Sequence, residues 1–250
     1  MTRYCLTIEY DGTNYVGWQR QKTGSSIQQE LEDAVEAFCG ERTLVQGAGR
    51  TDSGVHALGQ VAHVDIIRET DGSTVRDALN AHLRPSPISV LKAQVVPNQF
   101  HARFSAQARS YSYRIINRKA PLTTERHFAW HVSTPLDTGS MQLAAQRLIG
   151  KHDFSTFRAS HCQAKSPVKT LTKINVNRVG ERIEIAASAR SFLYHQVRNF
   201  VGTLRLVGEG KWTADDISDA LKACDRKQGG PTAPPEGLFL TQITYPPNIF

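Results

Sequence analysis

The sequence predicts an α+β fold: two tandem ferredoxin-like (βαββαβ) halves whose antiparallel sheets pack as one body around a central cleft. Three observations carry this. Apolar residues alternate at period two in several short runs, stripes at helical spacing closed by Gly or Pro lie between those runs, and the order of the elements reads twice along 250 residues. A chain of this length, 40% hydrophobic, buries one large core or two modest ones of roughly 100–150 residues each.

The first half covers residues 1–100. Tyr4, Leu6, Ile8 and Tyr10 alternate along a strand that Asp11-Gly12 ends with a turn signal. Ser26 with Gln29 reads as a capping box, and Ile27, Leu31, Val35 and Phe38 recur at helical spacing until Gly40. Residues 43–47 and 60–66 read as strands, 74–83 as a helix capped by Ser73 and stopped before Pro85, and 88–96 as a strand. The second half, residues 101–250, repeats the order: a strand at 108–116, a helix at 138–149 ended by Gly150, strands at 168–177 and 182–189, a helix at 192–207, and a strand at 238–244. Thr213-Ala-Asp-Asp adds a short helix with its own capping box. The boundary falls near residues 97–107, with no Gly/Ser-rich linker.

Charge points to the partner. Lys and Arg number 30 against 23 Asp and Glu, giving +7 and a pI near 9.4, which suits a polyanion, with nucleic acid first among them. Cys5, Cys39, Cys162 and Cys224 stand far apart with no C-x-x-C spacing, which argues against structural zinc. The absence of an apolar leader at Met1–Leu6 and of a membrane-length apolar run predicts a cytoplasmic chain with no membrane association.

The chemistry concentrates in one loop. The segment Gly47–Gly59 between the second and third strands is far longer than a common hairpin connection, and long ordered loops are usually functional. It carries Gly47, Gly49 and Gly54, with Arg50 and Asp52 two apart and of opposite charge. Spacing alone leaves two readings of Asp52 open: a catalytic acid, or a side chain that closes an Asx turn.

Gly49-Arg-Thr-Asp-Ser-Gly-Val-His-Ala57 resembles the catalytic signature of the TruA-type tRNA pseudouridine synthases, the tRNA pseudouridine(38-40) synthase family. Further segments resemble the family in the same order. They are Glu9–Gln21 with Gln28, His101-Ala-Arg-Phe-Ser105, Arg109-Ser-Tyr-Ser-Tyr-Arg114, His152-Asp-Phe154 with Phe157, Phe192–Gly202, and Gly237-Leu238. The resemblance implies an isomerase that converts uridine to pseudouridine at positions 38, 39 and 40 of the tRNA anticodon stem-loop. It also implies a homodimer that uses no metal and no organic cofactor. Residue by residue, it makes Asp52 the essential aspartate, Tyr111 the active-site tyrosine and Arg198 the arginine that pairs with the aspartate. Arg50 becomes the arginine that enters the stem when the target nucleotide flips, and Leu238 the apolar residue beside the uracil.

The chemistry is consistent with those roles. Isomerisation breaks N1–C1′, turns the uracil, joins C5 to C1′ and removes the C5 proton, so it is redox-neutral. A carboxylate can attack C1′, add at C6 or take a ribose proton, and each needs it ionised, which a neighbouring guanidinium favours. A tyrosine offers a ring for stacking and a hydroxyl for proton relay. Enzymes that act on a base within a helix extrude it first.

Other candidates read as structural. His127-x3-His131 lacks a third metal ligand at useful spacing, and His56, His63, Trp18 and Phe157 read as packing residues. The competing functions are an RNA-binding protein without catalysis, disfavoured by the lack of an RNP-type aromatic segment, and an N-glycosidase, disfavoured because the 49–59 stretch holds a single acid.

Overall fold

The computed structural model describes residues 1–247 and residue 249. Among the described residues it is a mixed α/β protein with five α-helices, and the chain divides into two compact units, Met1–Arg109 with Phe239–Phe250, and Ser110–Leu238. No helix among the described residues is long and apolar enough to cross a membrane.

In the first unit, β1 (Thr2–Tyr10), α1 (Ile27–Cys39), β2 (Gln46–Gly47), β3 (His56–Ile66), α2 (Gly72–Leu83) and β4 (Ile88–Val95) follow in that order. β1 lies between β4 and β3 and is antiparallel to both, with Tyr4 opposite Val64 and Leu6 opposite Ala62. The alternation read from the sequence is the burial pattern: Tyr4, Leu6, Ile8 and Tyr10 are all buried. Two short partners share the other edge of β3 at different heights. β2 pairs antiparallel with Ala62 and His63, while β10 (Leu238–Thr244) pairs parallel through Phe239 and Leu240 with His56 and Ala57. The loop carrying Asp52 connects β2 to β3.

The second unit holds β5 (Ala108–Asn117), β6 (Trp130–Val132), α3 (Thr138–Gln146), β7 (Gly150–Asp153), β8 (Val168–Val179), β9 (Arg182–Ala189), α4 (Gln196–Gly208) and α5 (Ala214–Ala223). Its strands run β5-β9-β8-β7, with β6 parallel to the end of β5. Phe154, Phe157 and Phe200 form its aromatic core, edge to face at 5.0–6.3 Å between ring centroids.

Several expectations are corrected. The sheet pairing is not purely antiparallel, because β10 meets β3 and β6 meets β5 in parallel. The strand expected at 43–47 shrinks to Gln46–Gly47. The α2 cap is Asp71 rather than Ser73: the carboxylate accepts the Thr74 N–H at 3.0 Å and also takes the Ser73 hydroxyl, which sits inside the first turn. The helix expected from 138 to 149 stops at Gln146, and Gly150, at φ +118°, opens a strand that the sequence reading did not include. The helix expected from residue 192 starts at Gln196, because His195 adopts left-handed backbone (φ 61°) and the Gln196 side chain accepts the Leu193 N–H.

His63 gives a stability prediction. Its ring is 2% exposed, accepts the Ala102 N–H at Nδ1 (3.2 Å) and lies 4.6 Å from the His101 ring. Burial first, then the nearby His101 and Arg3, push its pKa down to about 4, against a smaller opposing pull from Asp65. An unfolded histidine protonates near pH ~6.5, so between these values the unfolded chain holds the extra proton and stability falls as pH drops. The expected contribution is roughly 2 kcal/mol, or about 4–8 °C in Tm, between pH ~6.5 and ~4. His63→Asn, which keeps an acceptor for Ala102, should flatten that part of the Tm-versus-pH curve. Identical slopes for the two proteins would show that His63 does not couple stability to acid.

Candidate active site

The loop of residues 48–55 is anchored by bonds of its backbone and of its Thr51 and Ser53 hydroxyls. Thr51 O accepts the Trp18 N–H (3.0 Å), Tyr15 O accepts from Gly54 N (3.4 Å) and from the Ser53 hydroxyl (3.0 Å), and Asp52 O accepts the Val55 N–H (3.1 Å). The Gln60 amide donates to Gly49 O (2.7 Å), and the Tyr10 and Thr51 hydroxyls share a buried bond of 2.8 Å. Burial pushes the Tyr10 phenol far up its range, so it stays a neutral hydrogen-bonding group.

The segment 11–18 forms a wall against this loop, and two glycines allow the approach. A Cβ on Gly12 would stand 2.0 Å from Val55 O, and one on Gly17, already at φ +110°, 2.5 Å from Thr51 O. His56 Nδ1 accepts the Gly12 N–H (3.1 Å), and its ring stacks on Phe239 at 4.7 Å. On the remaining side, the buried Arg109 donates through Nη2 to Ala48 O (2.9 Å) and Arg103 O (2.6 Å). Within this frame Asp52 is half-buried and Arg50 is exposed. The constrained backbone limits where the Asp52 carboxylate can go.

In the second unit, Tyr111 lies on β5, half-buried, with the Phe192 ring edge-on at 5.3 Å. Arg198 lies in the first turn of α4, and a reciprocal pair of bonds fixes it: its Nε donates to Ala233 O (2.7 Å) and Ala233 N donates to Arg198 O (3.1 Å). The segment that leads into Ala233 is held in turn by Asn199, through Thr232 and Arg226. That fully buried amide donates to Phe157 O (2.8 Å) and accepts from the Thr232 hydroxyl (2.6 Å) and Arg226 (3.2 Å), while Thr203 Oγ1 accepts the Gly230 N–H (3.1 Å). The buried polar network therefore braces the segment whose Ala233 carbonyl accepts from the Arg198 guanidinium. Leu238, the first residue of β10, is buried.

A family model described as tRNA pseudouridine synthase matches residues 6–105 and 144–246, which include Asp52, Arg198 and Leu238. The chain belongs to the tRNA pseudouridine synthase family. Members of this family are isomerases. Relatives named tRNA pseudouridine synthase A include those of Rhodospirillum rubrum, 59% identical over 98% of this chain and 88% of the relative, and Paramagnetospirillum magneticum, 60% identical over 98% and 96%. The relative from Parvibaculum lavamentivorans is 56% identical over 98% of this chain and the whole of its own. Among solved structures, the crystal structure of a Cbf5-Nop10-Gar1 complex is similar at a TM-score of 0.41 and 10% identity, covering 95% of this chain and 48% of that one.

For this family member, the structure places Asp52 and Arg50 on one loop of the first unit and Tyr111, Arg198 and Leu238 in the second. His131, one of the paired histidines at 127 and 131, contacts Arg118 O at 2.9 Å, and no group of three His, Cys, Asp or Glu among the described residues could hold a metal ion. Sequence reasoning missed the supports: Tyr10, Gln60, Arg109, Asn199, Thr203 and Ala233. No sequence signal marks Asn199, which at about 100° per residue lies well off the stripe of Leu193, Val197, Phe200, Val201 and Leu204.

Proposed function

We propose that this chain isomerises uridine to pseudouridine in the anticodon stem-loop of tRNA, at positions 38, 39 and 40, as a cytoplasmic homodimer using no metal or organic cofactor. Asp52 is the catalytic carboxylate, Tyr111 the stacking and proton-relay group, and Arg198 the cationic partner of the carboxylate. Arg50 takes the place of, or holds, the flipped nucleotide, and Leu238 packs beside the uracil. Membership of the family carries this reading, supported by the sole acid of the signature lying half-buried on a loop fixed through its backbone. The strand order β4-β1-β3-β2 in the first unit also favours a split βαβ half of the ferredoxin-like kind.

The reaction balances without an electron carrier. N1–C1′ breaks, C5–C1′ forms, and the C5 proton leaves while N1 gains one. A dry site matters, because water trapping the ribosyl group would turn isomerisation into base loss.

The test is incubation of the protein with a tRNA bearing uridines at positions 38, 39 and 40, followed by nucleoside mass spectrometry, with light scattering on the same sample. Pseudouridine at those positions and a mass of two 27.8 kDa chains are the expected results. Unchanged tRNA that is nonetheless bound would make the protein an RNA-binding module, loss of uracil would make it a glycosidase, and a fully active monomer would remove the dimer.

A further inference from the structure

The tight turn at residues 101–105 presents an aromatic side chain to solvent on a rigid base. His101 Nδ1 accepts the N–H groups of both Arg103 (3.1 Å) and Phe104 (3.4 Å). Ser105 closes the turn twice, its N–H donating to His101 O (2.9 Å) and its hydroxyl accepting the His101 N–H (3.0 Å). Every one of these groups is satisfied locally, yet the Phe104 ring stands 75% exposed. A phenyl group folds inward wherever a core can take it, and its neighbour Ala102 is buried in this same turn.

Two further observations say what covers the ring. The Arg103 guanidinium lies 5.6 Å from the Phe104 centroid, and the His101 ring 4.4 Å away with its plane tilted by 40°, which together set a cation and a second ring against the phenyl group. Arg109 then ties the turn to the signature loop, since one Nη2 grips both Arg103 O (2.6 Å) and Ala48 O (2.9 Å), the residue just before Gly49. The platform and the Asp52 loop are therefore parts of one hydrogen-bonded body within the first unit.

We infer that Phe104, with Arg103 beside it, is a stacking platform for an unpaired base of the RNA substrate, Arg103 taking the adjacent phosphate. This rests on the proposed action on tRNA. A flat apolar face beside a cation on a chain of net charge +7 matches a nucleotide, which offers a π face and an anion side by side; an apolar protein partner would have no use for the charge. Stacking on such a face tolerates any base, so the platform contributes affinity and register rather than sequence choice.

The experiment is filter binding of unmodified tRNA at two salt concentrations by the full chain and its Phe104→Ala, Phe104→Trp and Arg103→Gln variants. Circular dichroism and light scattering monitor folding and oligomeric state. Phe104→Ala should weaken binding about tenfold, Phe104→Trp should restore it and show indole fluorescence quenched on tRNA addition, and Arg103→Gln should lower the salt slope by about one. Binding by Phe104→Ala within twofold of wild type overturns the inference, as does a change of oligomeric state in Phe104→Ala, which would make the ring a contact between copies of this chain. Wild-type protein that forms no pseudouridine overturns the functional reading separately, because the binding titrations do not depend on turnover.

Discussion

Asp52→Asn should abolish pseudouridine formation, lowering the rate by more than about 10⁴-fold, while tRNA binding stays within a few-fold of wild type. The amide keeps the size and polarity of the side chain but cannot act as a nucleophile or base, so the loss falls on the chemical step. The loop survives the change: the bonds that Thr51, Ser53, Gly54 and Val55 make to Trp18, Tyr15 and Asp52 O do not use the Asp52 carboxylate. Affinity comes mainly from phosphate contacts elsewhere, and loss of a negative charge near a polyanion can tighten it slightly. Tritium release from tRNA labelled at uracil C5, beside a binding titration with the same tRNA, separates the two quantities. Substantial release by the variant, with deamidation back to Asp excluded by mass spectrometry, would make Asp52 a turn-closing residue and return the other reading of its spacing.

Arg198→Met should cost the next largest amount, about 10²–10³-fold in kcat, as expected when a positioned cation facing developing charge is removed. Methionine fills the volume of the stem but cannot donate to Ala233 O, and under the proposed function it removes the cation assigned to the catalytic carboxylate. Arg198→Lys makes the argument sharper. A lysine restores the charge but has no second arm in a fixed plane, so it cannot hold Ala233 and present a fork at once, and it should recover only part of the loss. Single-turnover rates for both variants at saturating tRNA are the measurement. A methionine variant within tenfold of wild type would reduce Arg198 to a brace for the 226–233 loop. Full rescue by lysine would show that charge alone is needed.

The two sites were unequally legible in the sequence. The Asp52 loop stands out because an unusual length, three glycines and one acid occur together between two strands, whereas Gly12 and Gly17, whose absent Cβ atoms let the 11–18 segment close on it, lie outside that loop. Arg198 stood out only by resemblance, since an arginine on an amphipathic helix carries no signal of its own. The start of α4 was misread for a related reason. Leu193 and Val197 are both buried four residues apart, which is helical spacing, but one belongs to the turn before the helix and the other to its first turn.

Local structure is legible in the sequence: the alternation that buries Tyr4, Leu6, Ile8 and Tyr10, the Ser26 cap and Gly40 stop of α1, the Thr213–Asp216 capping box of α5, and the signature between β2 and β3, although the loop that carries it spans 48–55 rather than 47–59 because β3 already begins at His56. These depend on periodicity and on bonds between residues a few positions apart, which a linear reading can see. How the candidate site is held depends on long-range contacts that appear only in the folded chain. Arg109 reaches Ala48, Tyr10 reaches Thr51, and Asn199 joins Phe157 to Thr232. Each of these bonds satisfies a buried polar group across tens of residues, and a partner that distant leaves no period in the sequence to announce it.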